Sequence, residues 1–282
     1  MRVGIGLPGG VPGVDGSMVI EWARKADDSP FTSLAVVDRY VYDSYEALTS
    51  LAAAAAVTTR VKLATTIVIG PLRNTATLAK TAATVDALSG GRLVLGMAVG
   101  AREDDYQAAN IDYRQRGKIF TQQLAALRGL WESGTIGPRP VRKGGPEILV
   151  GGLSDQAYMR AARYADGYVH GGGPPRAFAR AADRARAAWR DAGRPGLPQL
   201  WGQGYFALGE GAAARGIAYL KDYYAFTGPF ADRIAAGLLT TTQSVIQYIS
   251  GYEEAGCGEL VLLPAIAEPS QFDRLAEVCR SL

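Results

Sequence analysis

VKLATTIVIGPLRNTATLAKTAATVDALSGGRLVLGMAVG, residues Val61 to Gly100, reads as strand, helix, strand. The two flanking runs, VKLATTIVI and RLVLGMAV, are apolar at nearly every position, as parallel strands covered on both faces must be. Between them, Thr75 to Leu88 is alanine-rich with helical period, and Gly90-Gly91 supplies the stop. This is one βα unit and the start of the next.

The same alternation runs outward in both directions. Further strand candidates begin at Val3 (VGIGLP), Ser33 (SLAVVD), Glu147 (EILVGG), Gly167 (GYVHGG), Gln199 (QLWGQGYFAL) and Glu259 (ELVLLP). Helical periods fill the intervals, and Ser154 and Thr241 stand where N-caps belong. Eight strands and their helices predict one α/β domain over residues 1–282, a (β/α)8 TIM barrel, with an open doubly wound sheet as the competitor. Two connections exceed a bare barrel's needs. One follows strand 4, from Gly100 to Pro146, and the other follows strand 7, from Gly209 to Gly258. The second holds the aromatic stretch Tyr219 to Phe230, and long insertions of this kind predict lids or partner surfaces.

Composition narrows the function classes. Thirty basic and 27 acidic residues leave a net charge of +3, too mild for a nucleic-acid protein. Cys257, Cys279 and one histidine support neither a disulfide framework nor a metal site. Met1 to Gly10 does not read as a signal peptide, and the alanine run Leu51 to Val57 is too short to span a bilayer, so a cytoplasmic, membrane-free chain is expected.

Gly4, Gly6 and Gly9 spell G-x-G-x-x-G, yet the next helix starts only near Ser17, and a dinucleotide fingerprint needs the helix to open on the glycines. Glycines at the strand ends are more informative. Gly100-Ala101, Gly151-Gly152 and Gly171-Gly172-Gly173 close strands 4, 5 and 6, which in a barrel places them together on the working face. Backbone without Cβ atoms there admits a flat ring or a phosphate, and Ser154 adds a hydroxyl at a helix start. His170 is the only histidine and is a candidate acid or base, or a buried hydrogen-bonding residue. Asp38 and Arg39 follow strand 2 and could pair with each other or contact ligands, with Tyr40, Tyr42, Tyr45 and Tyr106 as candidate pocket walls. The arginines from Arg176 to Arg190 fall on a solvated helical stripe. No metal ligands are expected.

The block TTIVIGPLRNTATLAKTAATVDALSGGRLVLGMAVGARED, Thr65 to Asp104, resembles the bacterial luciferase-like family of flavin- and F420-dependent oxidoreductases. The likeness extends through DYQAAN (Asp105 to Asn110) and LRGLW (ending at Trp131). It resumes in GGPEILVGG from Gly144, RAARYADGY from Arg160 and AGCGELVLLP from Ala255. The resemblance implies a barrel, usually dimeric, holding FMN or coenzyme F420 at the carboxyl ends of its strands. It places Thr66 and Ile67 beneath the ring and Val99, Gly100 and Ala101 beside it. Gly151, Gly152, Leu153, Ser154, Gly171 and Gly172 would meet the cofactor's side chain and phosphate. It further implies a monooxygenase acting on a small organic molecule with reduced FMN from a separate flavin reductase. F420-dependent hydride transfer and a non-catalytic flavin-binding barrel are the alternatives. Two positions depart from the family pattern: Arg39 stands where many members carry histidine, and Ala101 where some F420 enzymes carry glutamate, with Glu103 displaced.

Overall fold

The computed structural model describes residues 1–282. Eight parallel strands close into one barrel in sequence order: β1 (Arg2–Gly6), β2 (Ser33–Val36), β3 (Lys62–Ile69), β4 (Leu93–Ala98), β5 (Glu147–Gly151), β6 (Gly167–Val169), β7 (Gln199–Phe206) and β8 (Glu259–Pro264). Around it lie α1 (Gly16–Asp27), α2 (Ala47–Ala55), α3 (Thr75–Leu88), α4 (Glu103–Ala108), α5 (Arg116–Glu132), α6 (Asp155–Tyr164), α7 (Pro175–Asp191), α8 (Ala212–Tyr223), α9 (Phe230–Ala236), α10 (Thr242–Glu254) and α11 (Pro269–Arg280). The open-sheet alternative is excluded, because β1 pairs with β8, for example Val3 with Leu260. No helix is long and apolar enough to cross a membrane.

Local chemistry explains the elements. α3 starts where the Asn74 side chain accepts from the amides of Ala76 and Thr77, and it buries Leu78, Ala79, Ala82, Ala83 and Val85 at helical spacing. Thr241 and Ser244 form a reciprocal capping box at the start of α10. The glycines after α3, α7 and α10 (Gly90, Gly193 and Gly256) all adopt positive φ, as helix stops do.

The barrel axis is filled by Ala35, Ala64, Val94, Leu149, Val169, Trp201, Tyr205, Val261 and Leu263. The indole of Trp201 is the largest of these groups, and small residues face it. The G-x-G of β1 belongs to this packing rather than to a nucleotide. A Cβ at Gly6 would lie 2.4 Å from Leu263 Cδ2, and one at Gly4 would lie 2.0 Å from Ser33 Oγ. The amino-terminal floor of the barrel is polar. There the fully buried Glu259 accepts from Ser33 Oγ at 2.7 Å and pairs with Arg2 at 2.8 Å, while Lys62 pairs with Glu147.

The two insertions go to different places. After β4 the chain forms α4 at the carboxyl end of the barrel. The Gly134 to Gly145 stretch returns to the opposite end, where Val141 N–H donates to buried Asp86 and Arg142 pairs with Asp166. The connection that holds this stretch was expected to form a lid or partner surface, and the stretch is an amino-end brace. After β7, α8 and the turn that follows it fold across the mouth.

Candidate functional site at the carboxyl ends of the strands

The tips of β4, β5 and β6 form the open part of the mouth. Ala101, Gly152, Leu153, Ser154, Gly171 and Gly173 are exposed, Val99, Gly100 and Gly172 are half-buried, and Gly151 is buried below them. A Cβ at Gly171 or Gly173 would meet nothing within 4 Å, so the space beside that backbone is free. The amides of Leu153, Ser154 and Asp155 take no acceptor from the chain, which leaves the N-terminus of α6 an array of donors. Ser154 caps this helix by accepting from Ala157 N–H at 3.3 Å. Asp155, the carboxylate nearest the donors, is paired with Arg184, which offsets its charge toward an incoming anion.

β3 borders the same space. Its register with β4 shifts between Thr65 and Val68, and the Thr66–Ile67 peptide is cis. Ile67 is half-buried, and a Cβ at Gly151 would sit in ordinary contact with its Cγ2, 3.4 Å away. Thr66 Oγ1 is enclosed and has no hydrogen-bond partner within the chain. A buried hydroxyl without a partner is costly.

Asp38 and Arg39 reach neighbouring places but do not pair with each other. The buried Asp38 carboxylate is taken by Arg73, at 2.7 and 3.0 Å, and by Ile69 N–H at 2.8 Å. Arg73 also reaches Glu46 at 2.7 Å, and these two carboxylates hold its proton more tightly than usual. Both oxygens of Asp38 are thus engaged, tying the tip of β2 to the end of β3 and the turn after it. Arg39 pairs with Asp104 of α4 at 3.0 Å and lies over Tyr42, 4.6 Å from its ring centre. Asp105, fully buried, accepts the amides of Tyr40 and Val41, so α4 ties the tip of β2 to that of β4.

His170 is buried beside Phe178 and Tyr168, and burial pushes its pKa down to about 4. Its Nδ1 accepts Gly172 N–H at 3.2 Å, so the neutral ring carries its proton on Nε2. In this arrangement the imidazole shapes the glycine loop. Tyr106 is also buried, its hydroxyl bonded to Val99 O, and Tyr45 donates to Val14 O at 2.8 Å. Tyr40 and Tyr42 remain at the rim, with Tyr42 donating to Asp222 at 2.7 Å.

The other side of the mouth is roofed by residues 219–227, a strap formed by the end of α8 and the turn after it. Tyr219 donates to Gly10 O at 3.0 Å, and the hydroxyls of Tyr205 and Tyr224 share a bond of 2.9 Å. Arg102, buried at the β4 tip, donates to Tyr223 O at 3.1 Å. Its guanidinium lies 4.5 Å from the Tyr223 ring centre and 4.3 Å from that of Phe226. Burial raises the pKa values of Tyr205, Tyr219, Tyr223 and Tyr224, which keeps these phenols protonated at neutral pH.

Sequence reasoning missed Arg73, Asp105, Arg102 and the pair Tyr248 and Tyr252. Asp105 and Arg102 lie inside the blocks that carried the family resemblance, but nothing local distinguishes them. The tyrosines had a signal, since QLWGQGYF places Gly202 and Gly204 on one strand face while Tyr248 and Tyr252 stand four apart on a helix.

Comparison with known proteins adds to this geometry. A family model described as luciferase-like monooxygenase matches residues 1–257. An uncharacterized protein of Mycobacterium tuberculosis is 35% identical over 155 residues, 51% of this chain and 54% of that protein. Pyrimidine monooxygenase RutA of Cronobacter sakazakii is 30% identical over 174 residues, 53% of this chain and 50% of the relative. The chain thus spans about half the length of the curated relatives it matches. Among solved structures, monooxygenase RslO1 from Streptomyces bottropensis superposes with a TM-score of 0.77 at 23% identity, covering 99% of this chain and 97% of its own. An F420-dependent secondary alcohol dehydrogenase superposes at 0.79 and 18%, covering 99% and 98%. The oxygenating constituent of 3,6-diketocamphane monooxygenase of Pseudomonas putida, in complex with FMN, superposes at 0.74 and 17%, covering 99% and 95%. At these identities the structural likeness shows a shared barrel.

Proposed function

Because the chain belongs to the luciferase-like monooxygenase family, we propose that it is a flavin-dependent oxidoreductase, a monooxygenase that uses reduced FMN on a small organic substrate. The observation that carries this reading is the open shelf at the tips of β4 to β6, with unspent amides on one side and the unpartnered Thr66 hydroxyl on the other. A planar tricyclic ring with a phosphate-bearing tail fits that donor set. Thr66, Ile67, Val99, Gly100 and Ala101 would hold the ring. Gly151, Gly152, Leu153, Ser154, Gly171 and Gly172 would hold the tail and its phosphate.

Reduced FMN, when bound, would supply the two electrons by which O2 gives one oxygen atom to the substrate and the other to water. The chain's own work is to bind, orient and exclude water. Backbone amides orient the phosphate, Ile67 supports the ring, and the tyrosine strap covers the opposite side of the mouth so that the substrate meets the ring away from bulk solvent. The acid and base candidates named from the sequence are engaged in the fold. Asp38 is committed to Arg73, His170 accepts a backbone amide, and the buried phenols stay protonated. In this reading reduced FMN comes from a separate flavin reductase.

Titration of the purified protein with FMN and with F420, followed by absorbance and fluorescence, tests the proposal. Tight FMN binding with oxygen-dependent turnover is expected. Tight F420 binding with no FMN binding would overturn the monooxygenase reading in favour of hydride transfer. Failure of both cofactors would overturn the redox reading altogether.

A further inference from the structure

The three-glycine loop after β6 is held by side chains from three other places. Tyr248 and Tyr252 of α10, four residues apart, share one helix face with ring centres 4.6 Å apart. They lie flat on β7 where Gly202 and Gly204 stand. A Cβ at Gly202 would sit 2.4 Å from Tyr252 Cε1, and one at Gly204 would sit 2.7 Å from Tyr248 Cε1. Gly251, on the same helix, brings Pro175 equally near, since its Cβ would lie 2.7 Å from Pro175 Cγ. Three glycines therefore let α10 descend onto the strand and the start of α7. The descent puts both phenol oxygens 2.9 Å from the Gly173 carbonyl. Tyr248 Oη is also 2.9 Å from Gln203 O. The two hydroxyls also lie 3.0 Å apart, so two protons are shared among the two carbonyls and the contact between the phenols.

The other end of the loop is fixed as firmly. Gln203 Nε2 donates to Gly171 O at 3.2 Å, and Gly172 N–H donates to His170 Nδ1 at 3.2 Å. The peptides on both sides of the Gly172–Gly173 bond are therefore clamped, which decides the face toward which Gly173 N–H points. Gly171 N–H and Gly173 N–H donate to nothing in the chain, and both residues border open space. A run of three glycines has the greatest freedom to turn its carbonyls toward an anion and repel it. Held carbonyls remove that option.

We propose that Tyr248 and Tyr252, acting through the Gly173 carbonyl, are positioning residues. They hold the β6 glycine loop with its amides toward the cofactor's phosphate and so set a preference for a phosphate-bearing flavin over the same ring without phosphate. This rests on the cofactor reading above. Phenylalanine at either position keeps the ring that packs on Gly202 or Gly204 and removes only the hydroxyl. Because either hydroxyl alone can hold Gly173 O, the two substitutions act non-additively.

The test compares FMN with riboflavin, by flavin fluorescence titration, on the wild type, Tyr248→Phe, Tyr252→Phe and the double variant. The expected result is FMN affinity reduced by about tenfold or more in the double variant but by about threefold or less in each single one, with riboflavin within about twofold throughout. A parallel fall for both ligands, or no fall for either, overturns the positioning role while leaving the cofactor reading intact. A wild type that binds neither FMN nor F420 overturns both. If F420 binds in place of FMN, the same comparison is made between F420 and its phosphate-free deazaflavin.

Discussion

Gly171 and Gly152 both stand at strand tips, but they differ in what a side chain would meet. At Gly152 the backbone has a φ of +128°, and a Cβ would lie 2.9 Å from Ala157 Cβ, so Gly152→Val strains the start of α6 as well as blocking the shelf. Gly171 has no such burden. Gly171→Val is expected to leave the thermal midpoint within about 2 °C of wild type while weakening FMN binding about tenfold or more. Equal affinity in that variant would remove the β6 tip from the cofactor site. His170 makes a second residue-level prediction. Its pKa falls from about 6.5 in the unfolded chain to about 4 in the folded one, so the unfolded chain binds the extra proton between those values. Stability is unaffected by this group above pH 6.5 and is lost as pH drops toward 4, by roughly 2–3 kcal/mol. His170→Asn, whose amide oxygen can still accept Gly172 N–H, should lack that loss. Urea midpoints of both proteins at pH 7.5 and 4.5 would show it, and identical slopes would refute it.

At the scale of elements, the strap over residues 219–227 is fastened at three strand tips. Tyr219 holds the β1 loop, Tyr42 of the β2 loop holds Asp222, and Arg102 at the β4 tip holds Tyr223 O. Arg102 has no carboxylate partner. Its burial is offset by the faces of Tyr223 and Phe226, contacts worth ~0.5–2 kcal/mol each. Arg102→Met keeps a long apolar stem but loses the charge and the donated bond. Hydrogen exchange should then quicken across 219–227 and stay unchanged in β1 to β8. Faster exchange spread through the strands would mean that Arg102 supports the barrel instead.

The whole molecule is a closed barrel whose two ends are chemically unlike. The floor is closed by the ion pairs that Glu259 and Glu147 make with the partly exposed Arg2 and Lys62, while the mouth is half roofed by tyrosines and half lined with bare backbone. Trp201 fills the axis between them, only 1% exposed. The wall around it is built of strands joined into a ring with no free edge, so it cannot collapse inward. Trp201→Ala should therefore destabilise the fold by about 3–5 kcal/mol, measured as a shift in urea midpoint with an unchanged slope. A cost under about 1 kcal/mol would show that the wall does relax.

The strand–helix alternation, the helix stop at Gly90 and the caps at Ser154 and Thr241 were all readable in the chain. Each depends on residues within a few positions of one another, where periodicity and backbone freedom act directly. The glycine-rich tips of β4, β5 and β6 could be read as belonging together, because parallel strands in a barrel must end on one face. Other features had no local trace. Asp38 beside Arg39 suggested a pair, yet the carboxylate chose Arg73, 35 residues on, since the pairing of β2 with β3 brings the Ile69 amide and the guanidinium just after it to the same carboxylate. Helix α4 was not foreseen either, because it is only six residues long and is held by tertiary bonds from Asp104 and Asp105. Sequence by itself determined the barrel and the gathering of its glycine-rich strand tips on one face. Tertiary structure decided which polar groups there are spent and which remain for a ligand, because hydrogen-bond partners are set by distance in space, and the closing of the barrel sets that distance.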